Sequence, residues 1–282
     1  MRAVTVDSVR RLYPPRDKWS HKGDHGKVLV IGGSRRFRGA PALCALAALR
    51  AGADIATVAA PESSADVIAS FSPDIITEPM EGDYFNPENL RGVLAASERF
   101  DAVVIGNGMG RMARSMEAVL EFLRLSSKPC VIDADALYMI TGRLDALRRG
   151  WIITPHGNEF FSLAGAKPGK TLESRVAAAE KFSREIRAAV LLKGYKDVIA
   201  EGGRSAVNST GNPFMTVGGT GDVLAGICGA LLAGGAKPFD AAAAGAYISG
   251  AAGDMAASTT GPGLVATDVI AKIPAVLKGI LG

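Results

Sequence analysis

Hydrophobic residues along this chain gather in short runs that are apolar at nearly every position, and each run is followed by a longer stretch with helical spacing. Lys27–Ile31, 54–59, 101–105, Cys130–Ile132, 151–153 and 190–192 read as strands, and a further apolar run covers 198–200. Helices are expected over 40–51, 112–125, 136–139, 174–189, 223–233, 239–257 and 268–281. Strands without polar alternation are strands buried on both faces, so the pattern predicts an α/β chain with a mostly parallel central sheet covered by helices on both faces. No linker, repeat or low-complexity stretch divides it, and residues 1–282 are expected to form a single domain. Residues 1–26 read as a lead-in, and its last part, 20–26, is too polar for a strand.

The residues with chemical potential lie in the loops just past the strands. Gly32-Gly33-Ser34 comes after Ile31, Gly106 to Gly110 after Ile105, and Asp133-Ala134-Asp135 after Ile132; Thr154-Pro155-His156 comes after Ile153, and Lys193-Gly194 after Leu192. Ligands of open parallel sheets bind beyond the carboxyl ends of the strands, so these loops deliver glycines, carboxylates, an imidazole and an amine to one edge. Two apparent nucleotide signatures fail. The run 106–110 has Arg111 where the third glycine of a dinucleotide fingerprint belongs, and 165–171 is one residue short of a phosphate-binding loop and comes after a helical segment.

The densest glycine turn is Gly218-Gly219-Thr220-Gly221-Asp222, directly before the apolar helix 223–233. Such a turn aims free backbone N–H groups at one point, and the helix dipole favours an anion there. Asp222 is either a plain N-cap or an acid held at a phosphate site. His156 is either a hydrogen-bonded structural residue or a ligand contact. Glu159, three residues on, is either a helix-start acid or a carboxylate that meets a phosphate-bound Mg²⁺ through water. Lys193 to Asp197 forms a hairpin-like turn whose lysine suits nucleotide phosphates. Asp133 is expected to face inward and Asp135 to cap the next helix, while Gly32, Gly33 and Gly39 with Ser34, Arg35, Arg36 and Arg38 are either simple turns or a second phosphate cradle.

Composition narrows the function classes. The 282 residues are 48% hydrophobic, with a net charge of +4. They contain no Lys/Arg run of the kind that tracks a nucleic acid, so no nucleic-acid partner is expected. Cys44, Cys130 and Cys228 lie far apart among apolar neighbours and read as reduced core thiols. The longest apolar run, 223–236, falls short of the roughly 20 residues of a membrane span. With charges through residues 1–11, the expectation is no membrane and a cytoplasmic location.

Taken together, Lys22-Gly23-Asp24, Ile31-Gly32-Gly33-Ser34 with Gly39-Ala40, the 105–111 loop, 131–137, Thr154-Pro155-His156 with Glu159, Leu192-Lys193-Gly194 and Gly219-Thr220-Gly221-Asp222 resemble the ADP-dependent NAD(P)H-hydrate dehydratases of the ribokinase-like superfamily. The resemblance runs from His21 to the C-terminus. It implies a ribokinase-like fold, ADP or ATP as co-substrate, Mg²⁺, and hydrated NADH or NADPH as substrate. It further implies Asp222 as general base; Ala40, Gly108, His156 and Asp222 as contacts to the hydrated nicotinamide; and Lys193, Gly194, Tyr195, Lys196, Asp197, Asn212, Gly219, Thr220 and Gly221 as the adenine-nucleotide site.

The chain departs from the family at Gly157-Asn158, where Pro-Gly is usual, at Asn107, where Pro is usual, and at Ser209 and the bulkier residues of 195–197. The family's epimerase partner domain is not expected in the 26 residues before the first strand, which leaves a separate epimerase in the same pathway. Alanine-rich helices such as 239–257 can pack within or between subunits, and a homo-oligomer is expected. A thiazole or pyrimidine alcohol kinase of the same fold and a non-catalytic nucleotide sensor are the alternatives. ADP against ATP, and NADH-hydrate against NADPH-hydrate, stay open at this level.

Overall fold

The computed structural model describes residues 2–282. In chain order the elements are β1 (Arg2–Ala3), α1 (Val6–Arg10), β2 (Lys27–Ile31), α2 (Gly39–Arg50), β3 (Ile55–Pro61), α3 (Glu62–Ser70), β4 (Ile76–Met80), α4 (Leu90–Ser97), β5 (Ala102–Ile105), α5 (Ala113–Leu125) and β6 (Cys130–Ile132). Next come α6 (Asp135–Met139), β7 (Ile152–Ile153), α7 (Gly157–Ala164), α8 (Leu172–Ile186), β8 (Ala189–Leu192), β9 (Asp197–Glu201), β10 (Arg204–Asn208), α9 (Thr220–Ala233), α10 (Pro238–Thr260) and α11 (Ala266–Leu281).

All the strands join one 10-stranded sheet in the order β1-β10-β9-β8-β7-β6-β5-β2-β3-β4. Every pairing is parallel except those of β9, which runs antiparallel to both β8 and β10. Along each central strand alternate side chains serve opposite cores: Val28, Val30 and Val104 enter one, Leu29, Ile31, Val103 and Ile105 the other. The first core is closed by α2, α9, α10 and α11, the second by α4 to α8. Strand order reverses between β2 and β5, which makes the carboxyl edge there the switch point at which open parallel sheets form their ligand crevice. Gly33 N–H donates to the Asn107 carbonyl at 2.9 Å and Ser34 Oγ to the Gly108 carbonyl at 2.9 Å, which ties the two loops together there.

Helix α9 runs through the first core and is buried from Val223 to Leu232. Glycines make this possible by removing side chains at three contacts. A Cβ on Gly226 would lie 2.1 Å from the Cys44 carbonyl of α2, one on Gly229 2.5 Å from Val104 of the sheet, and one on Gly245 of α10 2.5 Å from Cys228 Sγ. The helix is therefore fixed on three sides, and its N-terminus is held at the carboxyl edge of the sheet. The alanines of α10, Ala241 to Ala244 with Ala246, Ala252 and Ala256, are spent in this same core rather than on an intersubunit face.

Several elements escaped the sequence pattern. The lead-in is not wholly irregular: Arg2 and Ala3 pair with Ala206 and Val207, and α1 is closed by a reciprocal cap between Thr5 and Ser8. Segments α3, β4 and α4 carry few buried side chains, and β4 is an edge strand with Pro79 and Glu78, so neither periodicity was strong. The helix expected over 174–189 stops at Ile186, where Arg187 turns left-handed at φ 56° and releases the chain into β8. The loop 165–171 is mostly exposed and joins α7 to α8, in keeping with the rejection of its phosphate-loop appearance. No helix among the described residues is long and apolar enough to cross a membrane.

The close approach of α2 and α9 makes a prediction with an unusual sign. Alanine is normally the better helix former by about 1 kcal/mol, yet Gly226→Ala is expected to destabilise the protein by about 1–3 kcal/mol, because its methyl would meet a backbone carbonyl that cannot turn aside. Urea unfolding of the two proteins checks this; equal or greater stability of the variant would show that the helices separate at little cost.

Candidate active site

The glycine turn places the N-terminus of α9 at the carboxyl edge. Gly219 caps the helix at φ 98°, and a Cβ there would come within 2.7 Å of Leu43 and 2.8 Å of Ala266, so only glycine fits. Thr220 begins the helix and donates its hydroxyl to the Met215 and Val217 carbonyls. No side chain caps α9, which leaves its first N–H groups free for an anion. Asp222 stands third in the helix and is not the N-cap. Its Oδ1 instead accepts a 2.6 Å hydrogen bond from Asn107 Nδ2, across from the β5 loop.

That bond belongs to a chain of charged groups. Asp133, 1% exposed at the end of β6, accepts from Thr154 Oγ1 at 2.6 Å, from Lys193 Nζ at 2.9 Å and from Asn107 Nδ2 at 3.2 Å. Lys193 Nζ also lies 3.8 Å from Glu159 Oε2. Burial, with the nearby Asp133 charge, pushes the Asp222 carboxyl up to about 7, against the pull of Asn107 and Lys193. The helix terminus therefore does not keep Asp222 fully ionised; the group is balanced between its two forms near neutral pH. Burial works against the Lys193 charge, but Asp133, Glu159 and Asp222 outweigh it and hold the ammonium above the ordinary lysine value.

His156 serves two ends. As N-cap of α7 its Nδ1 accepts from the N–H groups of Asn158 and Glu159 at 3.1 and 3.3 Å, while Glu159 Oε2 accepts from the His156 N–H at 2.8 Å. Burial and Lys193 lower the His156 pKa, so the ring is neutral with its proton on Nε2, 3.3 Å from Glu159 Oε1. Glu159 is itself buried, and both of its oxygens are engaged by His156 and Lys193. No cluster of three or more His, Cys, Asp or Glu side chains that could hold a metal ion by themselves exists among the described residues. Asp135 differs from expectation: it caps nothing, but accepts from the Gly110 N–H at 2.8 Å and from Arg111 Nε at 3.0 Å, fastening the β5 loop.

A cavity of about 740 Å³ opens beside the turn. Lys193, Gly194, Tyr195, Asp197, Asn212, Thr220 and Gly221 of the expected nucleotide site line it together with His156, whereas Lys196 and Gly219 do not. The β8–β9 hairpin forms one wall. Asp197 accepts from the Gly194 N–H at 3.0 Å and from Asn208 Nδ2 at 3.2 Å, and Arg175 donates to the Leu192 and Lys193 carbonyls. The opposite wall is the 210–217 loop, where Asp254 of α10 accepts from the Gly211 N–H and from Asn212 Nδ2, both at 2.9 Å. Tyr195, at the hairpin tip, is 85% exposed.

Ala40, Gly108 and Asp222 lie outside the lining of this cavity. Gly108 and Ala40 adjoin each other, since a Cβ on Gly108 would sit 3.1 Å from Ala40 Cβ, and Gly108 comes directly after the Asn107 that holds Asp222. The expected substrate contacts thus fall in two groups, one in the β2–β5 crevice and one, His156, on the cavity. Between them stands the Gly221-Asp222 step, with Lys193 Nζ 3.4 Å from where a Gly221 Cβ would be. Of the three arginines near this crevice, Arg35 faces Asp83 at 3.6 Å and Arg36 lies over Phe37. Arg175 and Asp254 were not singled out from sequence, since a helix-face arginine and a helix-face aspartate carry no local pattern, and Asn107 was noted only as a departure from the family's usual Pro.

Residues 28–275 match the family model described as NAD(P)H-hydrate dehydratase. The ADP-dependent (S)-NAD(P)H-hydrate dehydratase of Cenarchaeum symbiosum is 37% identical over 281 residues, covering 98% of this chain and 97% of that protein. A bifunctional NAD(P)H-hydrate repair enzyme of Methanothermobacter thermautotrophicus is 45% identical over 269 residues, covering 94% of this chain and 52% of its own length. The chain thus spans about half the length of the bifunctional relatives it matches. The solved ADP/ATP-dependent NAD(P)H-hydrate dehydratase of Bacillus subtilis, co-crystallised with ATP/Mg²⁺, superposes with a TM-score of 0.83 at 26% identity, covering 99% of this chain and 98% of that one. The ribokinase-like fold is confirmed, with a TM-score of 0.85 over 99% of the chain to a solved member at 24% identity.

The balance at Asp222 has a thermodynamic consequence. A carboxyl whose folded pKa stands near 7 binds its proton more tightly when folded than unfolded, so stability falls as pH rises from about 4 to about 7. Asp222→Asn removes that loss. Its melting temperature should exceed that of the parent at pH 8 and match it near pH 4; equal melting at pH 8 would mean that Asp222 carries its charge without penalty.

Proposed function

This chain belongs to the NAD(P)H-hydrate dehydratase family, and from that premise we propose that it removes water from hydrated NADH or NADPH at the expense of a nucleotide phosphoryl group. The observation that carries the reading is the Asp222 carboxylate, poised near 7 within a turn of free helix N–H groups and beside a nucleotide-sized cavity. ADP or ATP occupies the cavity between the hairpin and the 210–217 loop, its terminal phosphoryl at the N-terminus of α9. The hydrated nicotinamide enters from the crevice, along Ala40 and Gly108, and reaches His156 past the Asp222 step.

Asp222 accepts the proton of the substrate hydroxyl as that oxygen attacks the terminal phosphoryl, and the free N–H groups of the turn steady the charge on the transferring oxygens. The phosphorylated oxygen is then a good leaving group. The ring nitrogen lone pair expels it as phosphate, breaking the carbon–oxygen bond, and loss of a proton from the neighbouring carbon restores the dihydropyridine. With ADP the products are AMP, phosphate and the reduced coenzyme. Lys193 keeps Asp133 neutralised so that the substrate meets one free carboxylate rather than two. Mg²⁺ would come with the nucleotide and neutralise phosphate charge, and because it keeps much of its water it would need few protein carboxylates, with Glu159 the residue to meet it through water.

Release of inorganic phosphate with hydrated NADH and ADP, together with the return of absorbance of the reduced coenzyme, tests the reaction. A phosphorylated product that accumulates instead would make the protein a kinase, and binding without turnover would make it a sensor. Asp222→Asn should lower kcat by about 10²–10⁴-fold with little change in nucleotide affinity, and a variant with near-parental kcat removes Asp222 from the role. Because the base must be ionised, kcat/KM should rise with pH up to about 7 and level above it; a profile flat from pH 5.5 to 8 contradicts the assignment.

A further inference from the structure

Asn107 is placed unlike any other polar residue of the site. It is wholly buried, and a single side-chain nitrogen bridges the two carboxylates, 2.6 Å from Asp222 Oδ1 and 3.2 Å from Asp133 Oδ2. Its Oδ1 has no hydrogen-bond partner among the described residues. A buried amide with one end unsatisfied is a poor contributor to the fold, so the informative end is the nitrogen. The aim of that nitrogen is fixed by the backbone: the Asn107 carbonyl accepts from the Gly33 N–H, and Gly32 approaches the same carbonyl so closely that a Cβ there would stand 2.4 Å from it. The side chain therefore starts from an anchored point between the β2 and β5 loops and reaches the proposed base.

We propose that Asn107 is the positioning residue of the reaction: its amide nitrogen holds the Asp222 carboxylate at the mouth of the glycine turn and separates it from Asp133. The proposal rests on the dehydratase reading for the identity of the base, but the hydrogen bond it invokes is a property of the unliganded protein. A carboxylate beside a second carboxylate prefers to protonate, and a donor shared by both favours the charged form of each. The groups facing Asp222 are Asp133 and Asp135 from the β6 end, Lys193 from β8 and the Cys44 thiol from α2; only Lys193 and the Asn107 amide favour its ionised form. Lys193 is bonded to Asp133 at 2.9 Å and is not free to follow Asp222. Asn107 alone makes direct contact with both acids.

The test is a pH profile. In Asn107→Ala the rising limb of kcat/KM should move up by about one pH unit, a loss of about tenfold at pH 6 that shrinks to within about threefold at pH 9. Nucleotide KM should be unchanged, and Asn107→Ser, which restores a shorter donor, should recover part of the shift. A loss of the same size at every pH is what a merely structural residue would produce, and it overturns the proposal. Carbon NMR of the Asp222 carboxyl in the unliganded protein gives a second readout. Its midpoint should rise in Asn107→Ala, and an unmoved midpoint overturns the proposal whether or not the variant turns over. In the parent protein the Asn107 side-chain amide protons should shift with the Asp222 midpoint; amide protons silent across that range overturn it without any variant. Absence of turnover by the parent on hydrated coenzyme would instead sink the reaction assigned above, leaving both NMR readouts intact.

Discussion

The structure depends on bringing two carboxylates together at the edge of a parallel sheet without leaving either uncompensated. Asp133 is fully enclosed and is bonded by a lysine, a threonine hydroxyl and an amide; Asp222 is partly enclosed and holds only the amide directly. Lone buried charges are costly, and the arrangement spends its single ammonium on the deeper of the two. What remains for Asp222 is a compromise between burial and hydrogen bonding that sets its proton affinity near neutrality. Such a balance is what general-base chemistry at neutral pH requires, and it destabilises the fold by the same measure.

Everything rigid in the first core serves to hold that balance in place. An acid on a frayed helix end would drift toward solvent and lose its shift. Here the helix that carries it is clamped between α2, α10 and the sheet at three glycine contacts, and its first turn is tied by Thr220 to the preceding loop. The glycines of α9 cost helix propensity and return position. The cavity walls are held by other means: the β8–β9 hairpin, with its exposed Tyr195, by Asp197 and Arg175, and the 210–217 loop by Asp254 and Thr220.

The strands and the carboxyl-edge loops were legible because strands buried on both faces leave unbroken apolar runs, and because glycines, prolines and charges mark where those runs stop. The inward aim of Asp133, the lysine at the β8 end and the hairpin from Lys193 to Asp197 were all readable on that basis. The edge strand β4 and the pair Arg2–Ala3 were not, since β4 carries Glu78 and Pro79 with a single buried side chain and a two-residue strand leaves no periodicity. Side-chain assignments failed where partners lie far apart in sequence. Asp135 looks like a cap until Gly110 and Arg111 are seen to need it. Asn107 was noticed only as standing where the family usually has Pro; its partner Asp222 is 115 residues distant.

The sheet topology supplies the reason these distant residues meet. Reversal of strand order between β2 and β5 opens a crevice in which Gly33, Ser34, Asn107 and Gly108 interlock, while the antiparallel β9 turns the chain back and raises a wall on the other side of β8. A parallel strand at that position would have carried its connection away to the opposite edge. Antiparallel pairing keeps the Lys193 to Asp197 turn at the carboxyl edge, beside the α9 terminus. The two openings differ in chemistry because they are built by different connections: a crevice of close backbone contacts on one side, and a roomier cavity with a lysine and an imidazole on the other. Gly221 lines the cavity while Asp222, the next residue, is bonded by Asn107 of the β5 loop, so the two connections approach each other at the first turn of α9.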